Sequence, residues 1–146
     1  MLEDRPVLKD RLYAVATFGG IALATVMAFD FMVTGASAVS RDGVRFGKGH
    51  GFFDLEWGMF TDLGLVGEQT PVVAVVHDCQ VVYENLHPSP TDILVDHIAT
   101  PGGLHTVVRR AKRPRGVIWD LLEPKQIEQT PPLQELRVMQ GLAPSA

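Results

Sequence analysis

Arg45-Phe46-Gly47-Lys48-Gly49-His50-Gly51-Phe52-Phe53-Asp54 is the stretch on which the reading of this chain turns. Three glycines alternate with a lysine and a histidine, and two aromatics and an acid close the run. Residues without a Cβ let the backbone turn tightly and bring its N–H groups close to a bound group. Arg45 and Lys48 add positive charge beside those donors. Together these make a cradle for phosphate, with Asp54 placed to hold a metal ion or a donor. Two plainer readings stand beside it. The glycines also suit a structural turn between a strand and a helix, and an Asp near a helix start often serves as its cap.

The flanking sequence supports a strand before the cradle and a helix after it. Leu55, Met59, Leu63 and Val66 recur at helical spacing, with Glu56 and Asp62 on the other side. The loop therefore feeds a helix N-terminus, where the dipole favours an anion. Upstream, Phe31–Val39 is apolar and bounded by polar residues, which predicts one central strand buried on both faces. Pro71–Val76 predicts a second buried strand, ending at His77-Asp78-Cys79. In open parallel sheets ligands bind at that carboxyl edge. Ile93–Thr100 predicts a third strand with Asp96 in its middle, where a buried carboxylate needs a ligand or a structural hydrogen bond.

The remaining segments are shorter. Tyr13–Phe18 predicts a strand and Ile21–Ala28 a short helix. Leu104–Val108 and Gly116–Leu121 predict two further strands, and Gln126–Gln129 and Leu133–Gly141 two terminal helices separated by Pro131-Pro132. Alternating strands and helices predict an α/β protein, a three-layer α/β/α arrangement with a mostly parallel sheet, forming one domain over residues 1–146.

Composition narrows the function. With 46% hydrophobic and 21% charged residues the chain is an ordinary globular one. A net charge of −4 gives no general attraction to nucleic acid or to an anionic membrane. The cluster Arg109-Arg110-Ala111-Lys112-Arg113-Pro114-Arg115 is read as a solvated turn ahead of a nucleic-acid contact, because no aromatics interleave it. The apolar run Ala14–Phe29 is too short to cross a bilayer, which takes about 20 apolar residues. The single cysteine, Cys79, allows no internal disulfide and fits the cytoplasm. In a strand, His77 and Cys79 would share a face that Asp78 does not. A satisfied polar strand end is the favoured reading of that tripeptide over a thiol nucleophile.

Gly43-Val44-Arg45-Phe46-Gly47-Lys48-Gly49-His50-Gly51-Phe52-Phe53-Asp54 resembles the signature of the 5-formyltetrahydrofolate cyclo-ligase, or methenyltetrahydrofolate synthetase, family. That signature runs Gly-x-Arg-apolar-Gly-Arg/Lys-Gly-x-Gly-aromatic-aromatic-Asp. Val95-Asp96-His97-Ile98-Ala99-Thr100 resembles the family's second signature. Asp54-Leu55-Glu56-Trp57, Val76–Val82 and Lys112-Arg113-Pro114 look like the methenyltetrahydrofolate synthetase domain-containing branch.

The resemblance runs from about Asp30 to about Leu142, the C-terminal half of the family's pattern. It implies a cyclo-ligase-like, CoA-transferase-like fold and an ATP- and Mg²⁺-dependent closure of 5-formyltetrahydrofolate to 5,10-methenyltetrahydrofolate. By the same resemblance Arg45, Phe46, Gly47, Lys48, Gly49, His50, Gly51, Phe52 and Phe53 line the ATP site. Arg45 and Lys48 act on the phosphates, and Asp54 and Asp96 hold Mg²⁺. A nucleotide-binding chain without turnover is the alternative. Three departures stand out: Thr100-Pro101 replaces the family's Thr-Glu, phenylalanines stand at 52 and 53 where tyrosines are usual, and the region preceding the Phe31 strand is short. That last departure leaves a face open for self-association.

Overall fold

The computed structural model describes residues 28–47, 49 and 51–142. The strand and helix expected before Ala28 lie outside them, as do Lys48 and His50. The described residues fall into two compact units, Ala28–Val117 and the part from Ile118 onward.

In the first unit the strands are β1 (Met32–Thr34), β2 (Ala38–Ser40), β3 (Arg45–Phe46), β4 (Val72–Val75), β5 (Val81–Val82), β6 (His97–Thr100) and β7 (Gly103–Thr106). They form two sheets, ordered β1-β4-β6-β7 and β3-β2-β5. In the larger sheet β1, β4 and β6 run parallel, with Val33 opposite Val73 and Ala74 opposite Ile98. The turn Thr100–Gly103 reverses the chain, so β7 pairs antiparallel at the edge. This is a mixed sheet of the α/β class, as the alternating pattern predicts.

The stretch Phe31–Val39 departs from its expectation. It divides at Gly35-Ala36-Ser37 into β1, at the edge of the larger sheet, and β2, in the middle of the smaller one. Phe31 and Val33 are more than half exposed, so β1 is not buried on both faces. The division has a physical cause. Ser37 N–H donates to the Phe46 carbonyl at 2.7 Å, which draws the chain out of the first sheet and into the second. Ile93–Thr100 is also divided, and only His97–Thr100 is strand. Ile93, Leu94 and Val95 form a buried approach to it, pinned where Val95 N–H donates to Gly43 O at 3.0 Å.

Helix α1 (Phe52–Asp62) buries Leu55, Trp57, Gly58, Met59 and Phe60, a wider face than the expected stripe. The extra burial comes from residues 113–117, which lie along it. Trp57 Nε1 donates to the Pro114 carbonyl at 3.2 Å, and Val117 N–H donates to Asp62 at 3.0 Å. An added Cβ at Gly58 would stand 3.2 Å from Gly116 backbone atoms, so the approach needs glycine there. Gly116–Leu121 is therefore not a strand, and Trp119–Leu121 is a single 3-10 turn.

Gly43 is fixed both by space and by conformation. Its φ is +88°, and an added Cβ would sit 2.6 Å from the Val95 carbonyl oxygen. Gly43→Ala is expected to lower the unfolding free energy by about 1–3 kcal/mol. Urea denaturation measures this, and an unchanged midpoint would contradict the packing described.

In the second unit α2 (Pro124–Glu128) and α3 (Pro131–Met139) pack against each other around Ile127, Leu133 and Leu136. The prolines begin the helices rather than separating them. The first helical N–H has no partner within the helix, so a residue lacking it loses nothing.

Candidate functional site

The glycine loop joins β3 to α1. Gly49 and Gly51 have φ of +83° and +63°, and a Cβ at either would meet nothing within 4 Å. It is the left-handed backbone, not crowding, that calls for glycine. Gly51 is the residue capping α1, and as a glycine it offers no side-chain cap. An eleven-residue helix thus starts at the loop, with the positive end of its dipole there.

The loop and the start of α1 line a cleft of about 920 Å³. It is lined by the glycine loop with Phe46, Phe52 and Phe53, by Gly35-Ala36-Ser37, and by Gln80, Asp54 and Asp92. This is the carboxyl edge of β1 and β4, where a parallel sheet is expected to bind.

Arg45 is turned into the protein, its side chain only 6% exposed. Its Nη2 donates to both carboxylate oxygens of Asp54, at 3.0 Å each. The guanidinium carbon lies 4.6 Å from the centre of the Phe53 ring. Arg45 Nε is buried with no hydrogen-bond partner among the described residues. Asp54 Oδ1 also accepts the Ile93 N–H at 2.9 Å. Asp54 is therefore not the side-chain cap of its helix. It ties the glycine loop to the approach to β6. Burial pushes its carboxyl above the ordinary range, Arg45 opposes that, and Asp92 adds to it.

Asp92 is a further cleft residue, outside the glycine motif. Its Oδ2 accepts the Ser89 N–H at 2.7 Å, closing the turn Ser89-Pro90-Thr91-Asp92. The Ser-Pro-x-Asp pattern signals such a turn, although nothing local says which way it faces.

The sequence profile of the 5-formyltetrahydrofolate cyclo-ligase family matches residues 20–101, more than half of the chain. The chain belongs to the 5-formyltetrahydrofolate cyclo-ligase family.

It is also similar to the methenyltetrahydrofolate synthase domain-containing protein of Homo sapiens, at 38% identity over 144 residues, covering 92% of this chain and 37% of that protein. The protein of that name from Mus musculus is 36% identical over 137 residues, covering 88% of this chain and 37% of that one. The one from Danio rerio is 37% identical over 122 residues, covering 82% and 32%. The chain spans about a third of the length of these curated relatives.

Of the two acids that the cyclo-ligase resemblance pairs on one metal ion, Asp54 lines the cleft. Asp96 does not line the cleft. Its Oδ2 accepts the Val72 N–H at 2.8 Å, at the amino end of β4, and bonds the Arg113 guanidinium. Its Oδ1 pairs with Arg109 at 2.8 Å. Asp96 is thus the structural hydrogen-bond acceptor that its apolar neighbours left as the second option. Among the described residues no group of three or more His, Cys, Asp and Glu side chains is placed to hold a metal ion.

The basic cluster is not simply a solvated turn either. Arg113 is buried and donates to the carbonyls of Leu94 and Thr70, at 2.8 and 2.9 Å. Arg109 also pairs with Glu68 at 2.7 Å. Arg110, Lys112 and Arg115 remain exposed.

Past the end of β4, Asp78–Gln80 is a 3-10 turn with His77 as its N-cap. Asp78 accepts from the Thr100 hydroxyl, the main reason its carboxyl lies below the ordinary range. His77 Nδ1 accepts the Cys79 N–H at 3.3 Å and lies 3.2 Å from its Sγ.

Glu56, in the first turns of α1, has its carboxyl pushed above the ordinary 4.5 by burial alone. A folded-state value raised this way means stability falls as pH rises from 4.5 through the raised value. Glu56→Gln is therefore expected to raise the thermal midpoint at pH 7, with the gain vanishing below the ordinary value. A midpoint that drops at neutral pH would reverse the sign.

Proposed function

We propose that the cleft binds Mg·ATP by its phosphates and uses it to close 5-formyltetrahydrofolate to 5,10-methenyltetrahydrofolate. The observation that carries this is the glycine loop, left-handed at Gly49 and Gly51, which feeds the start of α1 and lines a cleft of nucleotide size. The residues fit a phosphate chain. Backbone N–H groups meet the oxygens, Arg45 lines the cleft, and Lys48 adds charge from the loop.

For Mg²⁺ the fit is through Asp54. Among the described residues its Oδ2 bonds only Arg45, and one carboxylate with phosphate oxygens and water is a usual Mg²⁺ shell. Asp96 is not among the residues lining the cleft and is held by Arg109 and Arg113. The metal would neutralise charge on the terminal phosphates.

The chain's residues then position the reaction. The formyl oxygen attacks the terminal phosphoryl group in line and ADP leaves; the second folate nitrogen then attacks the activated carbon, giving up its proton as phosphate leaves and the ring closes. Phe46 and Phe52, half exposed or more on the cleft wall, offer aromatic surface to a flat ring.

A second reading keeps nucleotide binding without turnover. It is favoured by the turn at Thr100-Pro101, where the family's acid is absent and the threonine hydroxyl is committed to Asp78.

Formation of methenyltetrahydrofolate from 5-formyltetrahydrofolate, followed by absorbance with ATP and Mg²⁺, tests the choice. Turnover is expected, with kcat falling about a hundredfold in Lys48→Ala. Nucleotide binding with no absorbance change leaves the second reading, and neither signal sinks both.

A further inference from the structure

We infer that Gln80 is a positioning residue: its carboxamide fixes the cleft wall Gly35-Ala36-Ser37 and so sets how far that wall stands from the glycine loop. This rests on the nucleotide reading above. Gln80 closes the 3-10 turn after β4 and faces the cleft. Its Oε1 accepts the His77 N–H at 2.7 Å, which anchors the acceptor end on its own turn. Its Nε2 then donates to the Ala36 carbonyl at 2.6 Å. The carboxamide cannot be turned over without losing both bonds, since one end needs a donor and the other an acceptor. On its far side the same connector is held by Ser37, whose N–H and hydroxyl donate to the carbonyls of Phe46 and Gly47 at 2.7 and 3.3 Å. The wall therefore hangs between Gln80 and the strand that leads into the glycine loop. A glutamate at this position would keep the bond to His77 but set a carboxylate against a carbonyl. A methionine would fill the space and make neither bond.

The test compares full-length wild type with Gln80→Glu and Gln80→Met. Calorimetric affinity for Mg·ATP and amide hydrogen exchange are followed together, with the thermal midpoint as a check on folding. Both variants are expected to bind about tenfold more weakly, because a displaced wall misplaces the ligand it meets. Exchange should quicken at Gly35–Ser37 and stay unchanged in α1. A residue with a merely structural role would instead lower the midpoint and quicken exchange across the sheet. Wild-type protein that takes up no Mg·ATP overturns the nucleotide reading itself. Wild-type that binds, with both variants binding equally well and exchanging alike, overturns the role of Gln80 alone.

Discussion

Arg113→Ala is expected to lower the unfolding free energy by about 3–5 kcal/mol. The guanidinium makes three kinds of bond at once. Its Nε donates to Leu94 O at 2.8 Å, its Nη1 to Thr70 O at 2.9 Å, and its Nη2 bonds the Asp96 carboxylate. Its carbon stands 4.8 Å from the centre of the Trp57 ring. Removing the side chain leaves buried carbonyls without a donor, a carboxylate short of a cation and a void against Trp57. Arg113→Lys should recover little of the loss. A single ammonium cannot reach two carbonyls and a carboxylate while lying flat on an indole. Urea denaturation of both variants measures this, and a loss under about 1 kcal/mol in Arg113→Ala would show the network to be dispensable.

The second large effect is at the cleft. Asp54→Ala should cost about 3 kcal/mol, since it strands a guanidinium that is only 6% exposed and removes the acceptor of the Ile93 N–H. A paired replacement separates stability from function. Arg45→Met with Asp54→Leu removes both charges together, and buried ion pairs replaced by apolar residues often lose little. Most of the stability should return in the double variant while phosphate binding does not. A double variant no more stable than Asp54→Ala would mean that the pair contributes through shape rather than charge.

Local chemistry accounts for what was legible in the sequence. The glycines at 49 and 51 sit at left-handed positions, the helix after them begins at Phe52, and β4 falls within Pro71–Val76. Each of these is written within a few neighbouring residues. The misreadings share the opposite character. Whether Phe31–Val39 is one strand or two depends on Ser37 reaching Phe46. Lys112-Arg113-Pro114 looked like surface charge because burial of Arg113 is set by Trp57, far back in the chain. Asp92 reaches the cleft only because its turn packs beside Asp54, which no local spacing encodes.

The account stands on the cleft taking a nucleotide by its phosphates, and titration calorimetry with Mg·ATP tests that most directly. One saturable site per chain is expected, competed by pyrophosphate and lost in Lys48→Ala. Folded wild-type protein that gives no saturable heat with Mg·ATP would contradict it.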